Sequence, residues 1–177
     1  MKLDQATAIA NDVMAKLNQH FTKSLICGSV RRQAENVNDI DIVAIPKPES
    51  QYQFGEESLD GAIIKLDPIG PNIDRILERF VLGDKIKRFM YNDIIIDLYI
   101  ATPENYETLI LIRTGSKEFN IRLTTSARRK GWKLFADGSG LWSLDHKEQK
   151  VMLIDNTEIG IIQKLLPAYV EPKGRTW

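Results

Sequence analysis

The sequence is poor in the residues on which much protein chemistry depends. It has one cysteine, Cys27, and two histidines, His20 and His146, in 177 residues. A single thiol excludes an internal disulfide and any cysteine-rich zinc site. The histidines lie far apart with no ligand spacing around either, so they form no histidine metal centre. Nor is there a Ser/His/Asp arrangement for nucleophilic catalysis. Cys27 sits in a strand-like apolar run and is expected to be a small core residue rather than a nucleophile. No apolar stretch is long enough to span a bilayer, and the start MKLDQATA lacks the apolar core of a signal peptide. A cytoplasmic or otherwise intracellular protein without membrane contact is expected. There is no internal repeat and no low-complexity tract.

Net charge is missing too, since 24 Lys and Arg balance 24 Asp and Glu. The distribution is uneven. Residues 1–105 hold 12 basic and 16 acidic side chains, and residues 106–177 hold 12 and 8. An acidic part joined to a basic part is compatible with gripping a polyanion on one side only. A random imbalance among solvated charges gives the same counts. With 43% hydrophobic and 27% charged residues the chain has an ordinary globular composition, and its length suits one domain or two small lobes sharing a core.

What is present is concentrated in Cys27 to Val43, CGSVRRQAENVNDIDIV. An apolar run (Leu25, Ile26, Cys27) enters a Gly28-Ser29 turn. Arg31 and Arg32 follow, and Asp39-Ile40-Asp41 opens a second apolar run. If Asp39 to Ile45 is a strand, its period of two puts Asp39 and Asp41 on one face. Two carboxylates side by side repel unless a cation sits between them, and oxygen-only ligation of that kind suits Mg²⁺. The Gly-Ser turn would aim backbone N–H groups at an anion, and the arginines add donors matched to phosphate. Together these describe a divalent-metal and phosphate site. Taken singly, the acidic pair and the turn are common in solvated strand ends and turns.

The remaining pattern mixes the two periods. Ala6, Ile9, Ala10, Val13 and Leu17 predict an amphipathic helix over 4–20. Ser24 to Cys27 is the first strand and Asp39 to Ile45 the second, ended by Pro46 and Pro48. Residues 49–62 are expected as a loop, and Ile63 to Leu66 as a short strand. Pro71 opens a helix carrying Ile73, Ile76, Leu77 and Phe80, which stops before Gly83. Lys85 to Tyr91 and Ile94 to Ala101 flank the turn Asn92-Asp93 as a hairpin, so Arg88 opposes Asp97. Asp97 is the only charge in IIIDLYIA. It is either the partner of Arg88 in a cross-strand pair or a third carboxylate beside Asp39 and Asp41. A short helix over 104–113 ends at Thr114-Gly115-Ser116. A basic helix from Lys117 to Lys130, with Arg122, Arg128 and Arg129, is capped by Gly131. Strands over Lys133–Phe135, Gly140–Trp142 and Val151–Ile154 follow, and Thr157 caps a last helix through Leu166. Trp132 and Trp142 are expected in the core.

With these positions in place the chain resembles the family X DNA polymerases, the group of DNA polymerase beta. GSVRR with DIDIV is similar to the family's metal-ligand strand, and IIIDLYI to the strand of its third aspartate. RTGSKEFNIRL resembles the block opening its nucleotide-binding subdomain, and YVEPKGR its closing segment. The resemblance implies an α+β fold: a nucleotidyltransferase palm with mixed sheet and flanking helices (1–105) and a small C-terminal nucleotide-binding α/β lobe (106–177). It implies Asp39, Asp41 and Asp97 as ligands of two Mg²⁺ ions, with Mn²⁺ able to substitute. Gly28, Ser29 and Arg32 would hold the phosphates, and Gly115 and Asn120 the sugar and base. The activity implied is templated addition of nucleotides to a primer 3′-hydroxyl with pyrophosphate release, in short gap-filling repair. The partners are primer-template or gapped DNA and deoxynucleoside triphosphates, and a monomer is expected. Family members often carry further N-terminal domains; this chain would be a minimal form.

Three departures qualify the likeness. Ile112 and Arg113 stand where the family commonly has aromatic residues that reject a ribose 2′-hydroxyl, so weakened sugar selection, with ribonucleotides admitted, is expected. Thr124 replaces an arginine that often contacts the template-strand region. FADGSGLW replaces an Asn-Glu-Tyr-Gly pattern. Two rivals stay open: a nucleotidyltransferase on a non-templated or small acceptor, and a catalytically silent binding module.

Overall fold

The computed structural model describes residues 1–175 apart from 53, 54, 56 and 68–79. Helix α1 (Leu3–Leu17) leads into strand β1 (Phe21–Ile26), the one-turn helix α2 (Gly28–Arg31) and strand β2 (Asp39–Pro46). Helices α3 (Pro48–Tyr52) and α4 (Leu59–Leu66) follow, then β3 (Val81–Leu82), β4 (Ile86–Tyr91) and β5 (Ile94–Ile100). The C-terminal part comprises α5 (Tyr106–Thr114), α6 (Lys117–Arg129), β6 (Trp132–Phe135), β7 (Gly140–Leu144), β8 (Lys150–Asp155) and α7 (Glu158–Leu165). The fold is α+β, with two separate sheets.

The larger sheet runs β1-β2-β5-β4-β3 and is mixed: β2 and β5 are parallel and the other pairs antiparallel. Period-two alternation divides its residues between two faces. Ile40, Ile42, Ala44, Phe89, Ile96 and Leu98 bury against Ala6, Ala10, Val13 and Leu17 of α1 and against Leu59 and Ile63 of α4. On the opposite face Val43, with half-buried Leu25, Ile45 and Tyr99, packs on Tyr106, Leu109 and Ile110 of α5. Helix α5 covers only that part of the face. Asp39, Asp41 and Asp97 lie on the remainder.

Helix α5 is buried along most of its length and serves two cores. Its Leu111 joins Phe119, Leu123 and Ala127 of α6, Leu134 and Leu141 of the smaller sheet, and Ile161, Ile162 and Leu165 of α7. That sheet is an antiparallel β6-β7-β8 meander. The caps follow the sequence. Ser116 and Thr157 accept from the backbone N–H groups of Phe119 and Gly160, and Gly131 takes φ +71° after α6. Asn92 and Asp93 both have positive φ, as a two-residue hairpin turn of the right twist requires. Trp132 packs on the C-terminal core. Trp142 does not join it; Lys150 lies 5.1 Å over its half-buried ring.

One segment differs from expectation. The loop expected over 49–62 holds α3 and the start of α4, and the strand expected over Ile63–Leu66 is the end of α4. Four apolar residues cannot separate strand from helix by period alone. What decides here is Leu59 and Ile63, one turn apart and both buried, and Ser58, which caps Gly61 at 2.9 Å. The helix expected over 71–80 falls, except for Phe80, outside the described residues.

Candidate active site

The parallel pairing of β2 with β5 sets the geometry. Its register places Asp39 opposite Ile95 and Asp41 directly opposite Asp97. Residues paired in register share a face, so one-step alternation along β2 and pairing across to β5 bring all three carboxylates to one side of the sheet. They differ in surroundings. Asp39 is exposed, Asp41 half-buried and Asp97 only 3% exposed.

Asp41 lies against the Gly28 turn. A Cβ built on Gly28 would come within 2.0 Å of Asp41 Oδ2, and Gly28 also has φ +58°, so only glycine suits this position. The turn is tied to the strand by Cys27 N–H donating to the Asp41 carbonyl at 2.7 Å. Burial pushes the Asp41 carboxyl up to about 7, helped by the neighbouring charges of Asp39 and Asp97; Arg113 and Arg32 pull it partly back. That is the signature of a carboxyl buried first and crowded by other acidic groups second. Among the described residues, however, no three His, Cys, Asp or Glu side chains already stand together as a metal site. Asp97 already has a partner on β4. Arg88 is opposite Asp97 in register and grips both its oxygens, Nε to Oδ1 and Nη2 to Oδ2, each at 2.6 Å. Asp97 is therefore in the cross-strand pair with Arg88, and the β2–β5 register also sets it opposite Asp41.

The two arginines after the turn part company. Arg32 stays with the acidic face. Its Nη1 donates to the Thr114 carbonyl, and its buried Nε has no hydrogen-bond partner. Burial lowers its pKa, against the attraction of Asp41. Ser29 Oγ is likewise buried without a partner. The first turn of α2 adds backbone N–H groups with no intrahelical acceptor. Arg31 corrects the expectation that both arginines present donors to phosphate. It turns to the C-terminal part and pairs bidentately with Glu158 at 2.7 and 2.7 Å, with Thr114 Oγ1 at 2.8 Å. Arg175, fully buried, reaches the same Glu158 at 2.8 Å. Burial works against ionising Glu158, but the bonds from Arg31 and Arg175 outweigh it and hold the carboxyl below the ordinary range.

Gly115 and Asn120 lie on the other side of Arg32. Together with Ile112, Arg113, Ser116 and Thr124 they line a cavity of about 440 Å³. Gly115 has φ +66°, and a Cβ there would touch Arg32 Nη1 at 3.4 Å, so Arg32 connects this cavity to the acidic face. Asn120 donates to the Ile112 carbonyl at 2.8 Å, which leaves its buried Oδ1 unpartnered. Arg32 thus links the acidic face, through Asp41 and Asp39, to the cavity of Gly115 and Asn120, whereas Arg31 leaves this neighbourhood. Buried polar atoms without partners are rare in folded proteins. Four of them here, on Ser29, Arg32, Arg113 and Asn120, are what a ligand rich in oxygen and nitrogen would satisfy.

Sequence reasoning missed two features. Arg113 lies 4.1 Å over the Tyr99 ring, two residues beyond Asp97 on the same face, and its Nε is buried and unpartnered. Strand alternation from Asp97 could have placed Tyr99 there, but nothing in the sequence pairs it with Arg113. The Arg31–Glu158–Arg175 cluster spans most of the chain, and Glu158 alone resembles an ordinary acidic residue in a first helical turn.

Comparison with known families adds one finding. Residues 109–176, less than half of the chain, match the model described as DNA polymerase beta thumb. No curated protein matches significantly. The matched stretch contains Gly115, Asn120, Glu158 and Arg175, and the three aspartates precede it.

Proposed function

We propose, from the premise that this is a family X DNA polymerase-like chain, that it binds primed or gapped DNA and adds nucleotides to the primer 3′-hydroxyl with release of pyrophosphate. The observation that carries this is the β2–β5 register, which sets Asp97 opposite Asp41 next to the Gly28-Ser29 turn. The donor set fits divalent cations: three carboxylates on one face, one of them pushed up to about 7 chiefly by burial and by the other two. Asp39, Asp41 and Asp97 would hold two Mg²⁺ ions, which when bound polarise the 3′-hydroxyl and neutralise charge on the leaving pyrophosphate.

The chain's own residues supply position and charge. Ser29 Oγ, Arg32 Nε and the first-turn N–H groups of α2 offer donors to the triphosphate. Gly115, without a side chain, lets the nucleotide sugar approach Arg32 and Asn120. Asp97, the most buried of the three carboxylates, would take the 3′-hydroxyl proton on a side-chain oxygen once Arg88 has let that oxygen go. The Arg31–Glu158–Arg175 cluster fixes α7 against α2, so the nucleotide cavity and the acidic face keep their spacing.

A second reading has an observation behind it. Thr124, in the place of a template-side arginine, spends its hydroxyl on its own helix, donating to the Asn120 and Ile121 carbonyls at 3.0 Å each. That favours weak template readout and hence addition without a template. A labelled primer, offered with and without template in Mg²⁺ and then Mn²⁺, separates the readings. Template-directed extension selects the polymerase and untemplated addition the transferase. DNA binding without addition selects a silent module. Asp97→Ala is expected to abolish extension while the fold persists, and an active variant would refute the role given to that residue.

A further inference from the structure

We infer that Arg88 is the resident counter-ion of the acidic face, holding Asp97 through both oxygens until a divalent cation takes its place. The inference rests on the reading of that face as a divalent-metal site and names what regulates entry to it.

Three observations carry it. The pair is symmetric and short, Nε–Oδ1 and Nη2–Oδ2 at 2.6 Å each, so neither oxygen of Asp97 is spare on the side that the guanidinium occupies. Its partners are unequal: the Asp97 side chain is 4% exposed and that of Arg88 35%. The carboxylate is fixed in the sheet, whereas the guanidinium has water to move into. Finally, the three aspartates share a face but do not stand as a metal site among the described residues. The cation that balances Asp97 is already in place, supplied by β4.

The physical consequence is competition. A buried carboxylate needs a cation, and Arg88 and a metal ion neutralise the same one. Metal entry at Asp97 must loosen the fork, and Arg88, released toward solvent, becomes a free cation at the rim of the face. A supporting partner would behave in the opposite way. Residues that orient a metal ligand strengthen metal binding, and their loss costs about 10–100-fold in affinity. Direction of change therefore separates the two roles.

The test measures Mn²⁺ affinity by electron paramagnetic resonance on wild-type protein, Arg88→Ala and Arg88→Lys, with Asp41→Asn as the control for the site. Competition predicts Mn²⁺ bound about tenfold tighter by Arg88→Ala, and less so by Arg88→Lys, which keeps the charge but loses the fork. It also predicts that metal-free Arg88→Ala melts lower than wild type and regains most of the difference in Mn²⁺. Unchanged or weaker Mn²⁺ binding by folded Arg88→Ala overturns the inference and leaves the acidic face a metal site. Should the alanine variant fail to fold, nitrogen NMR of the wild-type Arg88 Nε–H during a Mg²⁺ titration decides. The resonance must leave its carboxylate-bonded position as the Asp39 and Asp41 amides shift, and a stationary resonance overturns the inference. If wild-type protein binds no Mn²⁺ that Asp41→Asn abolishes, the metal-site reading itself fails, and this inference with it.

Discussion

Asp41→Asn should make the metal-free protein more stable at alkaline pH while abolishing extension. Asp41 has an ordinary value of 3.8 pushed up to about 7, chiefly by burial and then by Asp39 and Asp97. A carboxyl whose pKa is higher in the folded than in the unfolded chain favours folding when protonated. That contribution is fully present below 3.8, declines through the window above it, and is gone once pH passes about 7. A rise of about 3 in pKa corresponds to about 4 kcal/mol when the folded carboxylate is ionised. Asp41 is half-buried, and water at the mouth of the site screens part of this, leaving about 2–4 kcal/mol. Asparagine keeps the shape and removes the charge. Urea unfolding in chelator should therefore give Asp41→Asn an advantage of about 2–4 kcal/mol near pH 8, shrinking toward zero near pH 4. Millimolar Mg²⁺ should raise the wild-type midpoint near pH 8 and leave the variant almost unmoved. An advantage independent of pH, or a less stable variant near pH 8, would refute the reasoning, because the crowding of Asp41 would then cost the fold nothing.

Other consequences are directly measurable. Glu158→Ala strands Arg31 and the fully buried Arg175 without their carboxylate; it should cost about 3–5 kcal/mol in urea unfolding, and a loss below about 1 kcal/mol would show the cluster to be dispensable. Gly28→Ala drives a methyl group into Asp41 and forces alanine into left-handed backbone. It should destabilise by about 1–3 kcal/mol and reduce extension far more than the stability loss explains. A variant with normal extension would mean that Asp41 need not lie against the turn. With Ile112 and Arg113 lining the cavity proposed for the nucleotide, single-turnover incorporation of rATP should approach that of dATP, and strong rejection of rATP would count against an open sugar site.

The sequence carried every local decision on which the site depends. Gly28-Ser29 before two arginines placed the turn, alternation along DIDIV put Asp39 and Asp41 on one face, and Asn92-Asp93 fixed the hairpin that sets Arg88 opposite Asp97. These are short-range choices, made by positive φ, by strand period and by caps, and each is legible within a few residues. Where the local signal was weak, as over Ile63–Leu66, the sequence misled, because burial of Leu59 and Ile63 against the sheet decided what four apolar residues could not. The tertiary structure alone decided the rest. Only the parallel pairing of β2 with β5 shows that Asp97 belongs beside Asp41. Only packing of α7 on α5 and α6 brings Glu158 within reach of Arg31 and draws that arginine from the turn, and only the fold lays Arg113 over Tyr99. Long-range pairings between charged groups leave no period in a sequence, since the chain between them can take any course that buries its apolar face. For that reason the partner of Asp97, one hairpin away, was written in the sequence, and the partners of Glu158, far along the chain, were not.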